Sequence, residues 1–290
     1  MRLAQFANSV QQIVTNPHVP TARGLAKHLG WQVRKALDLF PFEQRISSSR
    51  IVAAHRACSV SALIYSQGLY DYNNMQFIRW LLRDGGALFD IGANIGSYTL
   101  LASEQPQAEV YAFEPHPETF RRLSGNVALN RRDNVHAVHA ALGSQDGTVA
   151  LTDRPGSSIN HVTDRPDDKS ILVPVRRVDS YCREWGVCPQ FVKLDVEGHE
   201  YEVLRGFGGY LERVDVVLIE MNELSEERGV GLPRIHALLA SAGLVGPWRC
   251  DYDRRRLRRT VGTCREDSLY LSSAFGRRLL AGEWKIEERA

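Results

Sequence analysis

The sequence predicts an α/β protein with a doubly wound, mostly parallel sheet. Two observations lead there. Strand-length segments at 87–91, 109–114, 135–140, 190–194 and 214–220 alternate with helix-length segments at 96–103, 117–130, 179–185 and 200–211. Such alternation makes parallel strands covered by helices on both faces. In addition, the first strand runs straight into a small-residue turn, Gly92-Ala93-Asn94-Ile95-Gly96, and then into a helix. Strand, tight turn and helix start form the first half of a nucleotide-binding βαβ unit. The unpaired backbone N–H groups there face the space above the strand end.

Composition sets the bounds. At 290 residues, 43% hydrophobic and 24% charged, the chain holds one large α/β domain with extensions. We expect an N-terminal helical extension over 1–60, the main domain over 61–275 and a tail over 276–290. A net charge of +2 does not suggest a polyanion partner. The five cysteines form no C-x-x-C pair, which points to unpaired thiols in a reducing compartment. No segment has the ~20 apolar residues of a membrane span, and the N-terminus lacks a signal-peptide core. The expectation is a cytoplasmic protein.

Taken in order, Thr21 begins a helix in which Leu25, Leu29, Val33 and Leu37 recur every fourth residue, and Pro41 follows its end. Arg23, Lys27, Arg34 and Lys35 occupy the rest of its surface. A basic amphipathic helix can rest on a membrane, but a helix capping the domain or joining two subunits is the preferred reading. Ser47-Ser48-Ser49 reads as a joint, and 51–54 and 61–65 as short strands. Tyr70, Tyr72 and Asn73 precede a helix over 75–82 and lie where a segment of such folds passes over the ligand. In the core, Asp179 reads as an N-cap and Gly186 as a terminator. The run 214–221, VDVVLIEM, suits a strand buried on both sides.

An insertion over 143–174 carries strands at 147–152 and 171–175 and a polar stretch, 157–168, at the rim where substrates are selected. Beyond Asn222 come a loop, a helix over 232–242, and antiparallel strands at 248–252 and 269–272. The arginine-rich run 253–259 reads as a solvated hairpin. It has no interleaved aromatics, so nucleic acid is not a predicted partner. The tail reads as a short helix or irregular chain.

The turn chemistry selects the ligand. A dinucleotide site wants G-x-G-x-x-G so that backbone closes on a pyrophosphate. Here Asn94 stands at the second glycine; it tolerates the left-handed turn but fills phosphate space. Asp90, at the strand end, repels phosphate and suits an ammonium or sulfonium. S-adenosylmethionine carries both cations and no phosphate. Glu114 ends the second strand 24 residues beyond Asp90, near the spacing at which an acid meets ribose hydroxyls. Cofactor-binding candidates are therefore Asp90, Gly92, Asn94, Gly96, Ser97 and Glu114. Ala141 and Leu142 join them beside the adenine, as does Tyr72.

Three stretches, LFDIGANIGSYT from Leu88, YAFEPHPETFRRLSGNVALN from Tyr111 and KLDVEGHEYEVLRG from Lys193, resemble the FkbM family of S-adenosylmethionine-dependent O-methyltransferases. The resemblance implies a Rossmann-like methyltransferase fold with a seven-stranded sheet and an antiparallel last strand. It also implies methylation of hydroxyls on sugars or polyketide-type natural products, so the expected partner is a small-molecule or glycan acceptor.

Asp195, Glu197 and His199 follow the fourth strand. Methyl transfer is an in-line displacement in which alignment supplies much of the rate and a base takes the hydroxyl proton. Asp195 is read as facing the methionine end or the acceptor, with Glu197 or His199 as base. Alternatives are a divalent metal held by Asp195 and Glu197, and a helix-capping role for the two acids. At the level of the whole protein, a nicotinamide-dependent oxidoreductase or a non-catalytic scaffold compete with the methyltransferase.

Overall fold

The computed structural model describes residues 10–53, 58–154, 160–163, 166–221, 231–260 and 267–288. The stretch 157–159 of the polar rim, the loop over 222–230 and Cys264 lie outside the described residues.

The parallel core forms as the alternation predicts. It comprises β3 (Gly86–Ile91), β4 (Ala108–Phe113), β5 (Val135–Val138), β9 (Phe191–Leu194) and β10 (Val216–Ile219). Between them run α4 (Ser97–Ala102), α5 (Pro117–Leu129), α6 (Val178–Trp185) and α7 (Glu200–Gly206). Pro117 opens α5 with the His116 ring accepting the Thr119 N–H, as expected where proline's missing donor costs nothing. Gly186, left-handed at φ 64°, closes α6. The N-cap of α6 is Arg177, whose guanidinium pairs with Asp179 at 2.8 Å.

The main sheet has nine strands, ordered β14-β12-β11-β13-β10-β9-β3-β4-β5. Seven of them, from β11 (Leu244–Asp251) and β13 (Ser268–Ser272) to β5, form the expected sheet, with β13 antiparallel to β10. Two strands correct the expected count. The arginine-rich run forms the expected hairpin, but its second arm, Arg256–Arg259, joins the main sheet as β12, antiparallel to β11. β14 (Lys285–Glu287), from the tail, adds to β12 in parallel. Before it, α9 (Ser273–Leu280) packs Phe275 and Leu279 on the sheet. Glu287 accepts ion pairs from Arg256 and Arg258 at 3.1 Å, which ties the arginine-rich strand to the tail.

One face of the sheet packs on α3 (Tyr72–Leu81), α4 and α9; the other packs on α6, α7 and α8 (Leu232–Ser241). The insertion forms a small sheet of β6 (Ala141–Gly143), β7 (Gly147–Thr152) and β8 (Ser170–Arg177).

The N-terminal region departs most from expectation. Helix α1 (Thr21–Ala36) forms, but it buries Gly24 and Trp31 rather than its leucine stripe. Trp31 fits against Phe40, Phe42 and Tyr65. Ser47–Ser49 is no joint: it turns the hairpin of β1 (Phe42–Ile46) and β2 (Ser49–Ala53), and Glu104 accepts the Ser48 and Ser49 N–H groups. Ser61–Tyr65 is not a strand but lies in α2 (Ser59–Gln67). A short apolar run fits either period, and here packing on α1 decides.

Candidate active site

From β3 the chain steps outward to β4 and β5, then returns to β9 on the other side of β3. Open α/β sheets bind ligands over the strand ends at such a reversal. A crevice opens there, and its lining includes Gly92, Asn94, Asp195, Glu197 and His199.

The turn after β3 explains its own residues. Gly92 sits at φ 78°, and a Cβ on it would fall 1.7 Å from the Asp195 carbonyl oxygen. Only glycine lets the two loops meet. Asn94 adopts φ 51°, the left-handed form its side chain tolerates. Gly96, at φ 90°, begins α4, and a Cβ there would meet Leu123 Cδ1 at 2.6 Å.

Glu114 is buried beside this turn. Its Oε2 accepts the Asn94 N–H at 3.0 Å and its Oε1 accepts the His116 N–H at 2.9 Å. Each oxygen keeps room for one more donor, the arrangement a vicinal diol requires. Burial pushes the carboxyl up to about 7, against the pull of the two N–H groups.

Of the predicted cofactor residues, Gly92, Asn94, Glu114, Ala141 and Leu142 line the crevice. Leu151, His161 and Val162 of the insertion complete that wall, so the described part of the insertion shapes the same crevice. Asp90, Gly96 and Ser97 sit beneath the turn. Asp90 is fully buried, with one oxygen accepting the Thr99 hydroxyl at 2.5 Å; the other has no hydrogen-bond partner among the described residues. Ser97 pairs with the Tyr70 hydroxyl at 2.8 Å.

Tyr72 lies elsewhere. It stacks on His18 with ring centroids 3.8 Å apart and donates to Asp253 at 3.0 Å, in a separate groove against the N-terminal segment. Helix α3 starts at Tyr72 and turns it outward, while Tyr70 enters the interior.

The second predicted group divides. The Asp195 carboxylate takes the Lys193 ammonium at 2.7 Å. Glu197 lines the crevice at φ 53°, a backbone form costly for a residue with a Cβ and concentrated at functional sites. Glu200, the first residue of α7, accepts the Gly198 N–H at 2.8 Å across the turn. His199 lies toward β6: a methyl on Gly143 would meet its Nε2 at 3.3 Å. His199 lines the same crevice as Asp195 and Glu197.

A row of charges was missed by sequence reasoning. Asp90 on β3 stands directly opposite Lys193 on β9. Glu220 follows β10 and Asp267 precedes β13, and these two strands pair so that the acids end side by side. Asp71, which accepts the Tyr98 hydroxyl, closes the row. Burial alone would lower the Lys193 ammonium, but Asp195 and Asp90 hold it above its ordinary value. Burial and the Asp195 charge push Glu220 up to about 8. Burial, then Asp71 and Glu220, raise Asp267 well above the carboxylate range. The signal was present: Lys193 and Glu220 are charges inside or ending otherwise apolar strands, where a charge is rare unless paired.

The row and Glu114 lie at the switch point of the doubly wound sheet, where such folds bind ligands. The comparisons agree. The FkbM methyltransferase domain model matches residues 90–253, and the chain belongs to that family. It is an S-adenosylmethionine-dependent methyltransferase. It is 32% identical over 171 residues to hexuronic acid methyltransferase AglP of Haloferax volcanii, covering 58% of this chain and 68% of AglP. It is 29% identical over 188 residues to 31-O-demethyl-FK506 methyltransferase FkbM of Streptomyces tacrolimicus, covering 62% and 60% respectively. Among solved structures, M. jannaschii TYW2 in complex with AdoMet aligns with a TM-score of 0.41 at 14% identity, over 80% of this chain and 86% of that one.

Proposed function

We propose that this chain transfers a methyl group to a hydroxyl oxygen of a sugar or natural-product acceptor. The observation that carries it is the crevice itself, lined both by the Glu114 carboxyl and by Asp195, which is ion-paired with Lys193 at 2.7 Å. The names of AglP and FkbM support a hydroxylated acceptor. S-adenosylmethionine supplies an activated methyl on a sulfonium when bound.

The chain's own residues supply position and proton transfer. Glu114 accepts the ribose hydroxyls, while Asn94 and Gly92 hold the turn at its required width. Ala141, Leu142 and Val162 offer an apolar wall to the adenine. Lys193 anchors Asp195 in one orientation, and burial with the Asp195 charge pushes Glu220 up to about 8. The Asp195 carboxylate takes the acceptor hydroxyl proton as the oxygen attacks. Glu197 and His199 are the other candidate bases lining the crevice.

Two variants separate these roles. Asp195→Asn is expected to lower kcat by about 10²-fold or more, the usual worth of a general base, with S-adenosylhomocysteine affinity within a few-fold. Glu197→Gln tests the second candidate in the same assay. Methyl transfer to a panel of sugars and polyketides is read by mass. Full activity in both variants would remove carboxylate base catalysis, and exclusive N-methylation would remove the hydroxyl acceptor.

A further inference from the structure

Helix α1 is expected from its sequence to bury Leu25, Leu29, Val33 and Leu37, yet all four are exposed, Leu29 and Leu37 by 65% each. Residues four apart advance about 40° around a helix, so these side chains form one continuous stripe. Val14 and Leu39 are exposed beside it in the chain. Of nine large hydrophobic residues exposed among the described residues, these six fall between positions 14 and 39. The helix is held from its other side by Trp31 and by Gly24, where a Cβ would meet Ile13 at 2.5 Å. The stripe is thus presented by a fixed helix and is not a frayed end.

Charge accompanies it. Residues 1–37 contain no aspartate or glutamate and five Lys or Arg residues. Lys27 and Arg34 lie over the rings of Tyr65 and Phe42, at 5.8 and 4.0 Å, on the side that packs on the domain; Arg23 and Lys35 fall between that side and the stripe on either edge. Glu43, the first acid of the hairpin, is already paired with Arg50 at 2.9 Å. No described helix is long and apolar enough to cross a membrane.

We infer that α1 is a docking face for an anionic lipid surface. An apolar stripe flanked by cations is the geometry that lies in the headgroup plane, with the apolar side chains reaching the acyl boundary. A second copy fits less well. A two-fold contact through this stripe would bring together two surfaces that each carry Arg23, Lys27, Arg34 and Lys35 against the one acid Asp38, and like charges facing each other oppose association. Anionic headgroups supply the missing counter-charge.

The test uses the full chain and vesicles of phosphatidylcholine with or without phosphatidylglycerol. Co-sedimentation is expected only with phosphatidylglycerol present, and it should weaken as salt is raised. Leu29→Gln with Leu37→Gln, and separately Arg23→Glu with Lys35→Glu, should each reduce binding by about tenfold or more. Both pairs lie outside the crevice, so S-adenosylhomocysteine affinity should stay unchanged and report the fold. Wild-type protein that remains in solution with every vesicle overturns the inference. So does binding that survives both pairs, or a lipid-free dimer that the leucine pair converts to monomer.

Discussion

At the scale of single residues, Glu114 concentrates the most chemistry in the fewest atoms. Two backbone N–H groups hold it, and burial opposes its charge. Glu114→Gln keeps the shape but replaces one acceptor with an NH₂ that faces an N–H. Hydrogen bonds to a charged group are worth about 1.5–3 kcal/mol, so affinity for S-adenosylhomocysteine should fall by about 10- to 100-fold. Calorimetric titration checks this, and unchanged affinity would separate Glu114 from the ribose. This residue was legible because it ends an alternating strand at a telling distance from Asp90. Asp71 and Asp267 were not, because their partners come from other strands and a helix start that sequence spacing does not bring together. Tyr72 illustrates the converse: it was expected to precede the helix but is the first residue of α3, and it stacks on His18 in a separate groove.

At the scale of elements, the parallel core was readable because β3 and β10 are almost wholly buried, β4 alternates, and turn or helix signals separate the strands. The sheet's far edge was less so. Arg256–Arg259 has three arginines and only one apolar side chain, Leu257, which is fully buried. Its strand form depends on β11 on one side and the tail on the other. The tail in turn depends on Trp284, which packs on Phe77 and Trp80 with centroids 4.9 and 5.1 Å away. Trp284→Ala leaves a cavity at that junction and should cost about 3–5 kcal/mol. Urea unfolding measures it, and a loss below 1 kcal/mol would show that the tail adds little to the sheet. The same dependence on partners explains α2: its apolar run has no period of its own, and α1 supplies the surface that makes it helical.

At the scale of the molecule, the buried acids set how stability varies with pH. An acid whose folded pKa is raised binds its proton more tightly when folded, so its contribution is complete below the unfolded pKa. It is lost as pH climbs through the folded value. Glu114 rises from 4.5 to about 7 and Glu220 from 4.5 to about 8, and Asp90 shifts the same way. The cofactor-free protein should therefore lose stability from about pH 4.5 to 8, on the order of 3 kcal/mol from Glu114 alone. Ribose hydroxyls donate to the charged form of Glu114, so bound S-adenosylhomocysteine favours that form and recovers the loss. The rise in Tm on adding this ligand should then be larger at pH 8 than at pH 5.5, and Glu114→Gln should flatten the difference. Thermal melts at the two pH values, with and without ligand, decide it. A ligand effect that shrinks as pH rises would mean that Glu114 meets the ribose as a neutral acid, donating rather than accepting.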